Sequence, residues 1–323
     1  MAVYTEIDDD ELRSFVAEYD IGTVVACKGI AEGVENTNYL LQTDRGSFIL
    51  TIYEKRVDPN DLPFFLGLLD HLSTKGVPCP PTIHGRDGVA LRQVAGKPAA
   101  IVTFLQGIWP KRPNATHCAE VGAALARLHL AGQDFVHTRH NSLSLDGWAQ
   151  LVEATVNRAD EVATGLSAEI AAEFEDISSH WPLDLPTGVI HADLFPDNVF
   201  FMDDKLTGII DFYFACTDAL AYDLAICLNA WCFERGAEFN ITKARRLLTA
   251  YAEVRPVSDA ELAALPLLAR GAALRFLLTR LYDWLNQVDG AMVKPKDPME
   301  YLHKMRFHRR IDGPGAYGLD RSS

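Results

Sequence analysis

Eight polar and loop-forming residues in the middle of the chain, His191 to Asn198, read HADLFPDN and lie between two apolar runs, 188–190 and 199–201. Carboxylate and amide oxygens such as those of Asp193 and Asn198 are hard ligands that suit Mg²⁺. This ion keeps few protein ligands and takes the others from phosphates and water. A carboxylate that does not bind the metal can accept a hydrogen bond from a hydroxyl group. These residue types therefore point to phosphoryl transfer, in which positioning and charge stabilisation supply most of the catalysis.

The residues that follow predict how a third oxygen ligand joins the group. The stretch 202–206 contains a turn between two apolar runs, which predicts a β-hairpin. Asp211 lies at the exit of that hairpin, and Asp193 and Asn198 lie at its entry. Because a hairpin brings its entry and exit together, we expect the three side chains to converge. A purely structural hairpin with Asx turns is the alternative.

Five other polar residues have simpler interpretations. His191 is interpreted as an organiser of the loop that bonds nearby backbone, and His129 as a satisfied buried residue at the end of a helical apolar stripe. Asp203 and Asp204 read as solvated turn residues. Asp223 is either a helix cap or a brace for the loop at 191–198.

The elements that must position these residues divide the chain into two parts. The first hundred residues predict a small antiparallel sheet, with a hairpin of strands 38–43 and 47–53, a strand at 89–92 and a helix at 62–75 that ends at Gly76. After residue 106, the apolar spacing predicts mainly helices, at 117–130, 146–164, 167–180, 218–235, 241–253, 259–288 and 298–309. The predicted fold class is α+β, with a β-rich lobe at 1–104, a mainly α-helical lobe at 105–323 and a ligand site between them.

Composition excludes several classes of protein. The chain has 323 residues, 48% of them hydrophobic, and a net charge of −14. So acidic a chain repels phosphate backbones and anionic lipids, so we expect neither nucleic acid nor membrane as a partner. Charges interrupt the apolar stretches, which predicts no membrane-spanning helix. The six cysteines form no C-x-x-C pair, which favours free buried thiols in a reducing, cytoplasmic setting.

The motif has a recognisable counterpart. His191-x-Asp193-x-x-x-x-Asn198, followed by Ile209-Ile210-Asp211-Phe212, resembles the aminoglycoside phosphotransferase and choline kinase branch of the protein-kinase-like superfamily. The resemblance implies a two-lobe kinase-like fold that binds ATP and Mg²⁺. It implies that Asp193 is the catalytic base and that Asn198 and Asp211 hold Mg²⁺.

Several longer stretches resemble the homoserine kinases built on this fold. They are 50–57, 61–65, 222–226, 228–234 and 301–308. The resemblance implies transfer of the γ-phosphoryl group of ATP to the hydroxyl of L-homoserine, a step of threonine biosynthesis. Choline, ethanolamine, methylthioribose or an aminoglycoside is an alternative acceptor, and a catalytically silent nucleotide-binding module is an alternative of another class. The sequence does not indicate the oligomeric state.

The nucleotide-binding side departs from the superfamily pattern. The basic position of the third strand falls on Thr51, and the helix 62–75 has no Glu, so the usual Lys–Glu ion pair is not expected. Lys55 or Arg56, just beyond the strand, is the candidate replacement cation. The nucleotide loop is sparse in glycine, and we expect Gly33, Asn36 and Asn38 to contact the phosphates.

The acceptor pocket must bind an ammonium and a carboxylate group. Arg275 and Arg280, on one long predicted helix, are candidates to bind the carboxylate in bidentate fashion. Asp283 lies near them at helical spacing, and Trp231 is a candidate for the pocket wall. Interhelix salt bridges and ordinary core packing are the alternatives for these four residues.

Overall fold

A computed structural model describes residues 5–30, 36–54, 58–235, 238–287 and 295–319. The part up to Thr103 is called the small lobe, and the part from Phe104 onward the large lobe. The small lobe is built on one antiparallel sheet, and the large lobe is mainly helical. The predicted fold class is therefore confirmed, whereas the boundary at 104 stays a prediction.

The small lobe has a six-stranded sheet in the order β1-β2-β3-β6-β4, with β5 paired to β6. Helix α1 (Asp9–Val16) covers one face, because its apolar residues Leu12 and Phe15 join Leu41 and Leu50 in a separate core. The carboxylate of Asp8 caps this helix. The strands are β1 (Val24–Ile30), β2 (Thr37–Thr43), β3 (Gly46–Ile52), β4 (Thr82–Ile83), β5 (Arg92–Val94) and β6 (Lys97–Thr103).

Helix α2 (Leu62–Thr74) joins the small lobe to the main core. Its apolar residues are buried together with residues of the large lobe rather than with those of α1. The helix ends before Gly76, which has a φ of 81° and so adopts the left-handed conformation that glycine tolerates best. This helix therefore links the position of the small lobe to that of the large lobe.

Seven helices build the described part of the large lobe, and a long one, α8, lies at its centre. They are α3 (Ala115–Ala131), α4 (Leu145–Thr155), α5 (Leu166–His180), α6 (Leu220–Trp231), α7 (Ile241–Val254), α8 (Asp259–Leu285) and α9 (Met299–Arg309). Helix α8 contacts α4, α5, α6 and α9, and α3 packs along α7. All six cysteines are free, as predicted, and five of them are buried.

Helix α8 is long and apolar enough to cross a membrane by length and composition, and 61% of its apolar window is buried. Arg270, Arg275 and Arg280 interrupt its apolar stretch, as the sequence predicted. Its apolar composition follows from its central place, where it is in contact with neighbouring helices along most of its length.

Two pairs of short strands support the polar motif. Strand β7 (Thr187–Ile190) pairs with β10 (Cys216–Ala219), and β8 (Val199–Met202) pairs with β9 (Lys205–Ile209) as the predicted hairpin. The predicted helix at 218–235 was wrong at its start, because Cys216–Ala219 forms this strand. Similarly, the strand predicted at 89–92 starts only at Arg92, and the α-helix predicted at 146–164 ends at Thr155 and continues as a 3₁₀ turn.

Candidate active site

The loop between β7 and β8 brings Asp193 and Asn198 into direct contact. The side-chain Nδ2 of Asn198 donates to the backbone carbonyl of Asp193 at 2.9 Å and lies 3.3 Å from its carboxylate Oδ2. Both side chains are half-buried. One amide therefore fixes both the backbone and the carboxylate of Asp193.

The exit of the hairpin lies beside the same amide residue. The N–H of Ile210 donates to the carbonyl of Asn198 at 3.0 Å, so Asp211 follows immediately after a residue bonded to Asn198. Asp211 is exposed and has φ 65° and ψ 62°, a left-handed conformation that costs energy for a residue with a side chain. The structure thus places Asp211 directly after a residue bonded to Asn198, which itself bonds Asp193, and the roles of the three residues stay predictions.

A buried carboxylate supports the loop from below. Asp223 accepts hydrogen bonds from the N–H groups of His191, at 2.7 Å, and Ala192, at 3.0 Å. Ala192 has a φ of 61°, so these two bonds hold a strained residue directly before Asp193. Burial acts to raise the pKa of Asp223, but hydrogen bonding from His129 and the nearby imidazoles lower it below its ordinary value. Asp223 is therefore the brace that the sequence left as one of two possibilities.

The two histidines have the structural roles predicted for them. His191 Nε2 lies 3.0 Å from the carbonyl of Ile210, and its Nδ1 accepts from the N–H of Asp193 at 3.2 Å. Burial lowers the pKa of His191, so the neutral ring links the loop to the hairpin exit. His129 Nε2 lies 3.1 Å from Asp223, and its Nδ1 lies 2.6 Å from the hydroxyl of Tyr251. Both buried rings are satisfied.

Arg275 and Trp231, two candidates for the acceptor pocket, lie beneath the loop. Each has a relative exposure of 1%. Arg275 Nη1 donates to the carbonyl of Ala192 at 2.6 Å, and the indole N–H of Trp231 donates to the carbonyl of Leu194 at 2.7 Å. These contacts support the loop backbone on both sides of Asp193. Contact with an acceptor stays a prediction for both residues, and their burial favours the supporting role.

Arg280 lies nearer to solvent, next to residues that the sequence did not single out. Its Nη1 lies 2.7 Å from Glu300, and its guanidinium lies 4.4 Å above the ring of Tyr301. Burial acts to raise the pKa of Glu300, but Lys304 and Arg280 lower it to about 2. The ring of Tyr301 lies 5.1 Å from that of Phe276, which lies 5.0 Å from the ring of Phe195 in the loop. Asp283 is exposed on the same helix as Arg280.

The nucleotide-binding candidates are only partly covered by the described residues. Gly33, Lys55 and Arg56 lie outside them. Asn38 accepts a hydrogen bond from Thr51 at 2.8 Å, and Asn36 accepts one from the N–H of Glu54 at 3.2 Å. Thr51 therefore bonds the side-chain amide of Asn38, at the strand position where the superfamily pattern has a basic residue. No local sequence pattern indicated this pair.

The donor set fits a magnesium ion. Within the described ranges, no group of three or more His, Cys, Asp or Glu is placed to hold a metal. Asn198 and Asp211 carry an amide and a carboxylate oxygen, and the residue before Asp211 is bonded to Asn198. Such a small set of hard ligands is what proteins use to bind Mg²⁺ alongside phosphates. These two residues are the ones that would hold the ion.

The fold and site can be compared with known proteins. Residues 26–257 match the model of the phosphotransferase enzyme family. Among solved structures, an amicoumacin kinase in complex with AMP-PNP and Ca²⁺ has a TM-score of 0.68 at 16% identity, covering 94% of this chain and 92% of that one. A spectinomycin phosphotransferase in complex with ADP and spectinomycin has a TM-score of 0.68 at 12% identity, covering 96% of each. The chain belongs to the phosphotransferase enzyme family, as the motif predicted.

Two relatives of much higher sequence identity are both homoserine kinases. A homoserine kinase of Rhodospirillum rubrum is 67% identical over 321 residues, which cover 99% of this chain and 100% of the relative. A homoserine kinase of Paramagnetospirillum magneticum is 63% identical, with coverage of 99% and 100%. The chain is thus a kinase that acts on an alcohol group, and the resemblance noted in the sequence is confirmed.

Proposed function

We propose that this protein transfers the γ-phosphoryl group of ATP to the side-chain hydroxyl of L-homoserine and forms O-phospho-L-homoserine. The single observation that carries the acceptor is the full-length identity of 67% to a protein of that function. The function predicted from the sequence, with its place in threonine biosynthesis, agrees with these relatives. We further propose that the enzyme works in the cytoplasm, where ATP and homoserine are available.

Asp193 acts as the base in this proposal. Its carboxylate accepts a hydrogen bond from the acceptor hydroxyl and orients that oxygen toward the phosphorus, and it takes the proton late in the loose transition state. Asn198 Nδ2 keeps the carboxylate in place, as its 3.3 Å contact with Oδ2 indicates. Asp223, His191 and Arg275 hold the backbone on either side, so little reorganisation is needed during reaction.

The metal site is proposed at Asn198 and Asp211. When bound there, Mg²⁺ neutralises negative charge on the phosphates of ATP. Asn198 would then serve two functions, since its Nδ2 is bonded to Asp193 and its side-chain oxygen would be available to hold the ion. The left-handed backbone of Asp211 is the strained conformation through which this residue joins the group.

Homoserine carries a carboxylate and an ammonium group, and the described residues beside the loop offer both complementary charges. Arg280 is proposed to bind the carboxylate and Glu300 the ammonium. The two side chains are already paired at 2.7 Å, and Glu300, whose pKa its cationic neighbours lower to about 2, is ionised at neutral pH. On binding, homoserine would break the Arg280–Glu300 pair. Its carboxylate would pair with Arg280 and its ammonium with Glu300, so every charge would again have a partner of opposite sign.

An acceptor screen tests the proposal. Purified protein is given ATP, Mg²⁺ and one alcohol at a time, namely homoserine, choline, ethanolamine, methylthioribose or an aminoglycoside, and ADP release is coupled to an optical readout. Homoserine is expected to give turnover far above the others. Turnover only with another alcohol would replace the acceptor, and nucleotide binding without transfer to any of them would favour a silent module.

A further inference from the structure

The position of Asp211, the proposed metal ligand at the hairpin exit, depends on contacts between the lobes. Asp211 is followed by a 3₁₀ turn, Phe212–Phe214, and then by Ala215, the residue directly before β10. The bond from the Ile210 N–H to the Asn198 carbonyl fixes the chain before Asp211. A left-handed residue persists only where its surroundings determine it from both sides. The conformation of Asp211 therefore also depends on the residues that hold the chain after it.

Arg139 holds that following segment and also reaches the small lobe. Its Nε donates to the carboxylate of Asp61 at 2.6 Å, at the N-terminal end of α2, and its Nη1 donates to the carbonyl of Ala215 at 3.2 Å. The Arg139 carbonyl also accepts the N–H of Thr217 at 2.7 Å. One guanidinium thus bonds helix α2 of the small lobe and the end of the Asp211 segment of the large lobe at once.

Aromatic contacts make the same connection. Tyr213, two residues after Asp211, meets the ring of Tyr53 from the end of β3 and the ring of Phe65 from α2, each edge-on with centroids 5.7 Å apart. The guanidinium of Arg139 lies 5.0 Å above the ring of Phe65 in this same cluster. Strand, helix and Asp211 segment therefore meet at one point.

The burial of the ion pair makes its geometry important. The side chain of Arg139 is 17% exposed and that of Asp61 is 32% exposed, so both are partly shielded from water. The planar guanidinium presents its donors in a fixed fork, so the two bonds fix the direction from α2 to Ala215. A lysine would keep the charge and lose this directional link.

We propose that Arg139 is a positioning residue, which couples helix α2 through Asp61 to the segment after Asp211 through Ala215 and so sets the place of the metal-binding carboxylate relative to the nucleotide lobe. The inference rests on the proposed role of Asp211. It assigns to Arg139 and Asp61 a link between helix α2 and the segment after Asp211. In the same lobe as α2, Thr51, at the strand position where the superfamily pattern has a basic residue, is bonded to Asn38.

The experiment compares Arg139→Gln, Arg139→Lys, Asp61→Asn and the double variant Arg139→Gln/Asp61→Asn with the unchanged protein. Arg45→Gln is the matched control, since it removes the same charge from an exposed ion pair with Asp20 in a turn of the small lobe. Three quantities are measured: the affinity for ADP with and without Mg²⁺ by calorimetry, hydrogen exchange of residues 212–217, and kcat with the KM values for ATP and homoserine.

In Arg139→Gln, we expect the gain in ADP affinity that Mg²⁺ supplies to shrink severalfold, exchange at 212–217 to rise, and kcat to fall about tenfold or more. The KM for homoserine should stay within about twofold of the original, because Arg280 and Glu300 lie on other elements. Arg139→Lys should fall between, and Asp61→Asn should add little to Arg139→Gln. Arg45→Gln should leave all three readouts unchanged.

Unchanged magnesium dependence and unchanged exchange in Arg139→Gln, with only a lower melting temperature, would show that Arg139 is merely structural and overturn the inference. Strictly additive effects of the two single variants would overturn it as well. If Arg139→Gln does not fold, Asp61→Asn and Arg139→Lys provide the same comparison. The ADP and exchange readouts need no acceptor, so an absence of homoserine turnover would count against the proposed function without deciding this inference.

Discussion

Asp193 is supported by bonds to the backbone on both of its sides. Asp223 accepts both N–H groups before it, Arg275 bonds the carbonyl of Ala192, and Trp231 bonds the carbonyl of Leu194. A carboxylate is a weak base, so the catalytic contribution of Asp193 depends mainly on where its side chain is held. The buried hydrogen bonds around the loop therefore serve to position the side chain of Asp193.

Replacing Asp193 with Asn tests this residue. The amide keeps the size of the side chain and cannot accept the proton, so we expect kcat to fall by about two orders of magnitude or more. The backbone carbonyl that Asn198 bonds is unchanged, so the affinity for ADP and Mg²⁺ should be retained. Steady-state kinetics and calorimetry measure the two quantities. Normal turnover in this variant would remove Asp193 from its role.

At the scale of single residues, the sequence predicts those positions that follow from the spacing of residues along the chain. The positions of Asp193, Asn198 and Asp211 follow from a loop and a hairpin, and the supporting role of His191 follows from its place in that loop. The contacts of Arg139 and Glu300 were not predicted, because each depends on a partner more than 15 positions away, except for the bond of Glu300 to Lys304. Such partners are set by how helices pack, which no local pattern records.

At the scale of elements, the packing of α3 on α7 depends on one glycine. A Cβ atom on Gly122 would lie 2.1 Å from the carbonyl oxygen of Leu247 and 2.9 Å from its carbonyl carbon. Both are backbone atoms, so a side chain there would have to move the helix. Close approach of two helices therefore requires glycine at this position. Helix α3 also carries His129, so this contact helps to place the network below Asp223.

Gly122→Ala is expected to lower the free energy of unfolding by about 1–3 kcal/mol, because overpacking displaces α7. Gly67→Ala is the matched control within helix α2, where a Cβ would meet only the ring of Phe135 at 3.8 Å, an ordinary contact. The control should be neutral or stabilise by roughly 0.5–1 kcal/mol through helix propensity. Urea unfolding measures both. Equal stability of the two variants would contradict the assigned contact.

Elements with a strong apolar period were predicted well, and those with tertiary pairing were not. The helix 62–75 and the hairpin at 199–209 agree with the structure because their own sequences contain the signal. Strand Cys216–Ala219 was missed because it exists through pairing with Thr187–Ile190. Its four residues carry no alternation long enough to distinguish a strand from a helix start.

At the scale of the whole molecule, the large lobe contains ionisable groups buried in its interior. His308 has a relative exposure of 2% and lies between the hydroxyl of Tyr317, 2.8 Å from Nδ1, and Asn229, 3.2 Å from Nε2. Burial and the charge of Lys304 lower the pKa of His308 from 6.5 to about 3. Lys304 also lowers the pKa of Glu300 from 4.5 to about 2. His308 and Glu300, both on helix α9, therefore resist protonation in the folded state.

The sign of the resulting pH dependence follows from proton binding. Between pH 6.5 and 3, the unfolded chain protonates its histidine at 308 while the folded chain does not, so unfolding takes up a proton and stability falls as pH falls. The stabilisation is fully present above pH 6.5 and is lost down to about pH 3. The carboxylate of Glu300 adds a second loss that begins only below about pH 4.5.

We therefore expect the free energy of unfolding to decline from about pH 6.5 downward, well before the carboxylates titrate, with a contribution from His308 that approaches about 1.4 kcal/mol per pH unit. His308→Gln should be less stable at pH 7 and should show a shallower decline between pH 6 and pH 5, with a remaining slope from His191, whose pKa burial also lowers. His303→Gln, an exposed position on the same helix α9, is the control and should keep the original slope. Urea unfolding at half-unit intervals of pH measures these slopes. An unchanged slope in His308→Gln would mean that His308 is already protonated in the folded protein, and the neutral bridge between Tyr317 and Asn229 would then be wrong.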